Sequence, residues 1–168
     1  LLADGEEAEG GWTIVDAGLN RPEARAAWLA AWAELGIEPQ RIRQIVLTHM
    51  HPDHVGLAGW LQAQCGAPVL LSPREKEVTR VTWLEDVDAE RAATVQRYLH
   101  SAGATPEVAE VILTQQAHLR ALTYPHPRQI DVIAPGATVL MGGRRFTAIH
   151  APGHADGQLV FYCAADRL

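Results

Sequence analysis

Within six residues, His49-Met50-His51-Pro52-Asp53-His54 sets three imidazoles and a carboxylate side by side. Such side chains hold a borderline ion such as zinc, which takes imidazole nitrogens at about 2.0–2.1 Å and carboxylate oxygens at about 2.0–2.2 Å. The spacing matters as much as the residue types. In extended backbone, residues two apart face the same way, so His49 and His51 can address one ion. Pro52 then turns the chain, and Asp53 and His54 face a neighbouring position. Two ions about 3.5–4 Å apart suit donors arranged in this way. The bland alternative is a group of solvated histidines on a loop. Position weighs against it, because the run follows a β-prone segment and precedes a helical one, and ligands bind at that edge of open α/β sheets.

A second segment, His150-Ala151-Pro152-Gly153-His154-Ala155-Asp156-Gly157, also follows a β-prone run. Pro-Gly before His154 forces a tight turn that can aim the ring inward. Taken alone, His154 reads as a surface residue; beside the first cluster it reads as a third ligand. The remaining histidines are expected to be ordinary. His150 is read as structural, and His100 and His118 as solvent-facing. His126, between Pro125 and Pro127, is either structural or part of a substrate cleft.

The elements that must position these groups alternate. Short β-prone runs over residues 1–3 and 12–15 bracket a polar hairpin loop. Asn20 is the expected N-cap of a helix that starts at Pro22 and closes at Gly36. A strand over residues 44–48, the ligand loop at 49–54, a helix over 55–64 and a strand over 68–71 follow. This order marks an α/β chain whose strands are covered by helices. Ser72-Pro73-Arg74-Glu75 reads as a capping box. From there the chain is helix-rich to about residue 120, with a new start at Thr105-Pro106-Glu107 and an end at Tyr124-Pro125-His126-Pro127. Strands are expected at 130–133, 138–141, 146–149 and 159–163, with Gly142-Gly143 as a hairpin turn. Residues 164–167 read as a turn, so the chain is expected to stop inside a β-hairpin, as a piece of a longer protein.

Asp16-Ala17-Gly18, His49-x-His51-x-Asp53-His54 and Pro152-Gly153-His154, in that order, resemble the metallo-β-lactamase superfamily, and most closely its glyoxalase II-like group. The resemblance covers the chain outside the helical stretch. It implies an α/β fold, the αββα sandwich, over residues 1–168, incomplete at its C-terminal side, with a helical lid-like insert at about 72–128. It implies that His49, His51 and His154 hold one ion, and that Asp53 and His54 hold a second. Asp16 would support the ligand loop from behind, and Asp53 would orient the nucleophile and carry a proton to the leaving group. The cofactor implied is Zn2+, two per site, with iron or manganese as alternatives. In the family a bridging aspartate and a further histidine come later than the last residue here.

The activity implied is hydrolysis of an ester, thioester or lactone by a metal-bound hydroxide. Two rivals stand beside it: a mononuclear iron sulfur dioxygenase, and a non-catalytic metal-binding or interaction module. Neither Gly-x-Ser-x-Gly nor a Cys/His dyad signature is present, so no covalent nucleophile is required. Trp83, Tyr98 and Tyr124 of the helical stretch are expected either to line an apolar substrate pocket or to be core aromatics.

Composition narrows the partners. The 168 residues carry a formal net charge of −6, which repels phosphate backbones and makes a small molecule the expected partner rather than a nucleic acid. No run approaches the roughly 20 apolar residues of a membrane span. Two cysteines, Cys65 and Cys163, make no disulfide framework and fit a reduced, cytoplasmic setting.

Overall fold

The computed structural model describes residues 1–4, 10–85 and 89–168. Most of the polar loop expected after the first strand, residues 5–9, lies outside the described residues. Strands β1 (Leu2–Asp4), β2 (Gly11–Val15), β3 (Ile42–Val46), β4 (Val69–Leu71) and β5 (Ile130–Val132) form one sheet in that order. β1 is antiparallel to β2, and every later neighbour is parallel. Parallel strands need crossovers. Helix α1 (Pro22–Glu34) supplies the first. α2 (Pro52–Val55) and α3 (Ala58–Cys65) supply the second. The third contains α4 (Pro73–Thr79), a π-helical turn (Arg80–Leu84), α5 (Ala89–Ser101) and α6 (Pro106–Ala121). A second, antiparallel sheet is built from β6 (Thr138–Met141), β7 (Arg144–His150) and β8 (Leu159–Tyr162). Gly142 and Gly143 make its first turn with φ of 60° and 68°, the left-handed pair that a two-residue hairpin requires.

The alternation of side chains along the strands separates two cores. Ile45 and Leu47 face Trp32, Leu57 and Leu61 of the helical layer. Val46, between them, faces Met141, Phe146, Ala148 and Leu159 of the second sheet. All three residues are 0% exposed, each worth about 1.5–3 kcal/mol of apolar burial. A strand buried on both sides reads as a continuous apolar run, which is how Ile45-Val46-Leu47 reads. The layers run helices, sheet, sheet, the αββ part of the expected sandwich. The outer face of the second sheet carries Leu140, Ile149, Val160 and Tyr162, each more than 40% exposed.

Several local expectations shift. Asp53 and His54 lie on α2 rather than in a loop, because Pro52 occupies its first turn behind an extended His51 (φ −64°, ψ 150°). Asn20 is not the cap of α1. Arg21 holds that position without a side-chain bond, while the Asn20 amide donates to the Tyr124 carbonyl and its Oδ1 accepts from Arg25 Nε at 2.8 Å. The capping box at α4 is half formed: Ser72 Oγ accepts from Glu75 N at 3.1 Å, but the Glu75 carboxylate points elsewhere. Trp83, Tyr98 and Tyr124 do not share a pocket. Trp83 is buried in the helical core, whereas Tyr98 and Tyr124 are 70% and 67% exposed. α5 buries none of its residues and α6 only Ala109, so this pair stands at the periphery. Cys65 and Cys163 are both free thiols. Among the described residues no helix is long and apolar enough to cross a membrane.

Candidate metal centre

The site starts where β3 ends. Leu47 N donates to Leu70 O at 2.9 Å and keeps the chain extended, so the following residues emerge at the carboxyl edge of the parallel sheet. His49 is 2% exposed. Its Nδ1 lies 2.9 Å from Thr48 Oγ1, and its Nε2 is buried with no hydrogen-bond partner. His154, on the turn after β7, meets it from across the sandwich. The ring centroids of His49, His51 and His154 are 4.5–4.9 Å apart, and His51 Nδ1 lies 2.9 Å from His154 Nε2. Each ring offers a nitrogen within 4.8 Å of the other two.

Burial, reinforced by the neighbouring His54 and His51, pushes the His49 pKa down to about 4; Asp16 opposes the shift. Burial and His154 also lower that of His51, against Asp53 and Glu75. Both rings are therefore neutral at pH 7 and present lone pairs, the state a metal ion requires. A buried imidazole nitrogen without a donor or acceptor costs free energy unless something fills its lone-pair direction. The His49 Nε2 atom and its two neighbours thus fit a bound cation.

Asp53 and His54 stand beside this trio. The His54 ring is 3.9 Å from that of His49, and its Nε2 lies 3.5 Å from Asp53 Oδ2. Asp53 is 65% exposed. Its neighbour is held from behind: Asp16 Oδ2 lies 2.8 Å from His54 Nδ1. That contact favours the proton on Nδ1 and leaves the Nε2 lone pair facing Asp53. Asp16 also accepts from Thr48 N at 2.8 Å and from Thr48 Oγ1 at 3.0 Å. Its backbone has φ 54°, a left-handed conformation that costs a non-glycine residue on the order of 1–2 kcal/mol. The adjoining backbone is fastened too, with Ala17 N donating to His54 O at 2.8 Å and Leu57 N to Gly18 O at 2.9 Å.

Sequence reasoning passed over three residues here. Thr48 links the Asp16 carboxylate to His49. Glu75, read only as a helix cap, is 1% exposed and accepts from Met50 N and Gly157 N. Trp83 Nε1 donates to Met50 O at 2.8 Å. Only Thr48, next to His49, carried a sequence signal; the other two become visible once α4 is folded against the ligand loop. His150 Nε2 lies 3.0 Å from Asp156 O and braces the second loop, consistent with its structural reading. His100 and His118 are exposed, as expected. His126 lines a depression with Gly59, Gln62, Arg128 and Gln129, to which none of the clustered histidines contributes.

The model of the metallo-beta-lactamase superfamily matches residues 6–168. The chain belongs to this superfamily. A metallo-beta-lactamase family protein from Thermus thermophilus superposes with a TM-score of 0.76 at 31% identity, over 97% of this chain and 49% of that one. A beta-lactamase domain protein from Burkholderia ambifaria gives 0.72 at 21% identity, over 99% and 46%. The hydroxyacylglutathione hydrolase of Pseudomonas aeruginosa is 31% identical over 131 residues, 77% of this chain and 43% of its own length. The chain thus spans about half the length of the superfamily relatives it matches.

Proposed function

We propose that this chain carries the principal ligand loops of a metal-dependent hydrolase with a binuclear zinc centre, acting on a thioester or a related ester of a small molecule. The observation that carries the reading is the buried, unpartnered Nε2 of His49 beside His51 and His154. His49, His51 and His154 would hold one ion. His54, with its ring fixed by Asp16, and Asp53 would hold the second. When bound, such ions bring the pKa of coordinated water toward about 7 and polarise the scissile carbonyl.

The chain's own residues do the rest. Thr48 and Asp16 fix the ring planes of His49 and His54, so these two donors need little reorganisation on binding. Asp53, exposed at the rim of the cluster, would take a proton from the attacking water and pass it to the leaving group. The thioester preference rests on the likeness to the hydroxyacylglutathione hydrolase. We assign substrate selection to the helical insert at 72–128, chiefly to the peripheral α5 and α6, since α4 and the π-helical turn are engaged with the ligand loop.

Elemental analysis of the purified protein, together with an assay of hydroxyacylglutathione hydrolysis, tests this. Roughly two zinc ions per chain and thioester cleavage are expected. His51→Ala should lower the zinc content and abolish turnover; unchanged stoichiometry would remove His51 from the ligand set. A single iron without hydrolysis would favour oxygen chemistry. Full metal loading with no cleavage of any ester would favour a binding module.

A further inference from the structure

Glu75 is a buried carboxylate that the proposed chemistry does not use. It sits on α4, 1% exposed, and no ion pair to it is found among the described residues. Its two oxygens divide their work. Oε2 accepts from Met50 N at 2.8 Å, and Oε1 accepts from Gly157 N at 2.7 Å. Met50 is the residue between His49 and His51. Gly157 lies three residues beyond His154. One side chain therefore spans the two loops that carry the clustered histidines. The Met50 peptide is also held on its other side, by the indole N–H of Trp83.

The contact is close-fitting. A Cβ at Gly157 would come within 2.6 Å of Arg74 Cβ, 2.7 Å of Ser72 Oγ and 2.9 Å of Glu75 N, so only glycine lets this loop meet the first turn of α4. Burying a carboxylate is costly unless it is well hydrogen-bonded. Two amide donors to two oxygens supply short charge-assisted bonds, which neutral side chains match less well. The negative charge also lies near the histidine cluster, where it favours a cation.

We infer that Glu75, assisted by Trp83, is a positioning residue for the metal centre, fixing the separation of His49 and His51 from His154. This rests on the metal-binding reading above. In Glu75→Gln an amide N–H must face one of the two backbone N–H groups, so one loop is released while side-chain volume is kept. Trp83→Phe removes the donor to Met50 O, together with part of the buried indole's volume.

The test is zinc affinity, measured on the full protein by competition with a chromophoric chelator, with the visible spectrum of the cobalt-substituted form as a second readout. Glu75→Gln should lose roughly 10- to 100-fold in affinity, as removal of outer hydrogen-bond partners does, and should alter the cobalt bands. Trp83→Phe should lose a smaller, several-fold amount. Ser72→Ala is the control. It uncaps the same helix and lowers Tm, but leaves affinity and spectrum as in the parent. Parent-like affinity and spectrum in both Glu75→Gln and Trp83→Phe overturn the inference and leave the metal reading standing. If Glu75→Gln does not fold, Trp83→Phe decides by the same criterion. An affinity loss in Ser72→Ala equal to that in Glu75→Gln also overturns it, since helix stability alone would then explain both. A parent protein that binds no zinc would sink the metal reading itself, and the inference with it.

Discussion

The two histidine-bearing loops differ in how they are held. The first, after β3, is enclosed: His49 is 2% exposed, and Asp16, Thr48, Glu75 and Trp83 all bond to it. The second, after β7, is open, with Pro152, Gly153 and His154 all exposed. Its bonds include His150 to Asp156 O, Ala151 N to Gln158 O at 2.9 Å, Gly157 N to Glu75, Arg74 to Asp156 at 2.7 Å, and His154 to His51. The first loop is organised by the parallel sheet that it leaves. The second takes its place largely from what it docks against. Donors fixed in advance need less ordering when an ion binds, so the first loop should set affinity and the second should adjust it.

The largest effect that bears on this contrast belongs to Asp16. Its left-handed φ of 54° is a cost that glycine would not bear, while its carboxylate holds Thr48 and His54. Asp16→Gly should therefore split two quantities usually moved together. Zinc affinity should fall by roughly 10- to 100-fold, while backbone strain on the order of 1–2 kcal/mol is relieved. Tm of the metal-free protein should change little, because that relief is set against loss of the bonds to Thr48 and His54. Affinity left intact would make Asp16 a turn former only, and would remove the main support of the enclosed loop.

A second effect is the pH dependence of the enclosed loop. His49 titrates at about 4 in the folded chain against an ordinary 6.5. Its folded pKa is depressed, so the unfolded chain binds the extra proton first. Stability from this group is full above about pH 6.5 and is lost as pH falls toward 4. The metal-free protein should show that decline in Tm, and His49→Asn, which cannot take the proton, should show a shallower one. Equal slopes would mean that burial of His49 is not felt as protonation energy.

The difference between the loops also explains what could be read from sequence. His49, His51, Asp53 and His54 fall within six residues, and their spacing alone suggests a shared centre. The strands were legible because Ile45-Val46-Leu47 is apolar throughout and the later strands alternate. The start of α2 was missed because a one-turn helix after proline leaves no periodic signal. Glu75 and Trp83 were not legible as partners of the ligand loop. Nothing local marks a carboxylate 25 positions from Met50 as its hydrogen-bond acceptor, and the same Ser-Pro-Arg-Glu segment serves equally well as an ordinary helix start. Tertiary contact, not propensity, turned the Glu75 side chain away from its own cap.

The smallest effect concerns the open loop. His150 is exposed, and its side chain, with Nε2 3.0 Å from Asp156 O, closes the turn that carries His154. An exposed bond of this kind competes with water, so His150→Ala should change stability by no more than about 0.5 kcal/mol. The turn would keep other ties, among them Ala151 N to Gln158 O, Gly157 N to Glu75 and Arg74 to Asp156. Zinc affinity should accordingly drop only a few-fold, through a wider range of His154 positions, with the His49 and His51 side of the centre unaffected. A loss as large as that from Asp16→Gly would break the contrast. The second loop would then be as much a determinant of affinity as the first, and its brace would be His150 rather than α4.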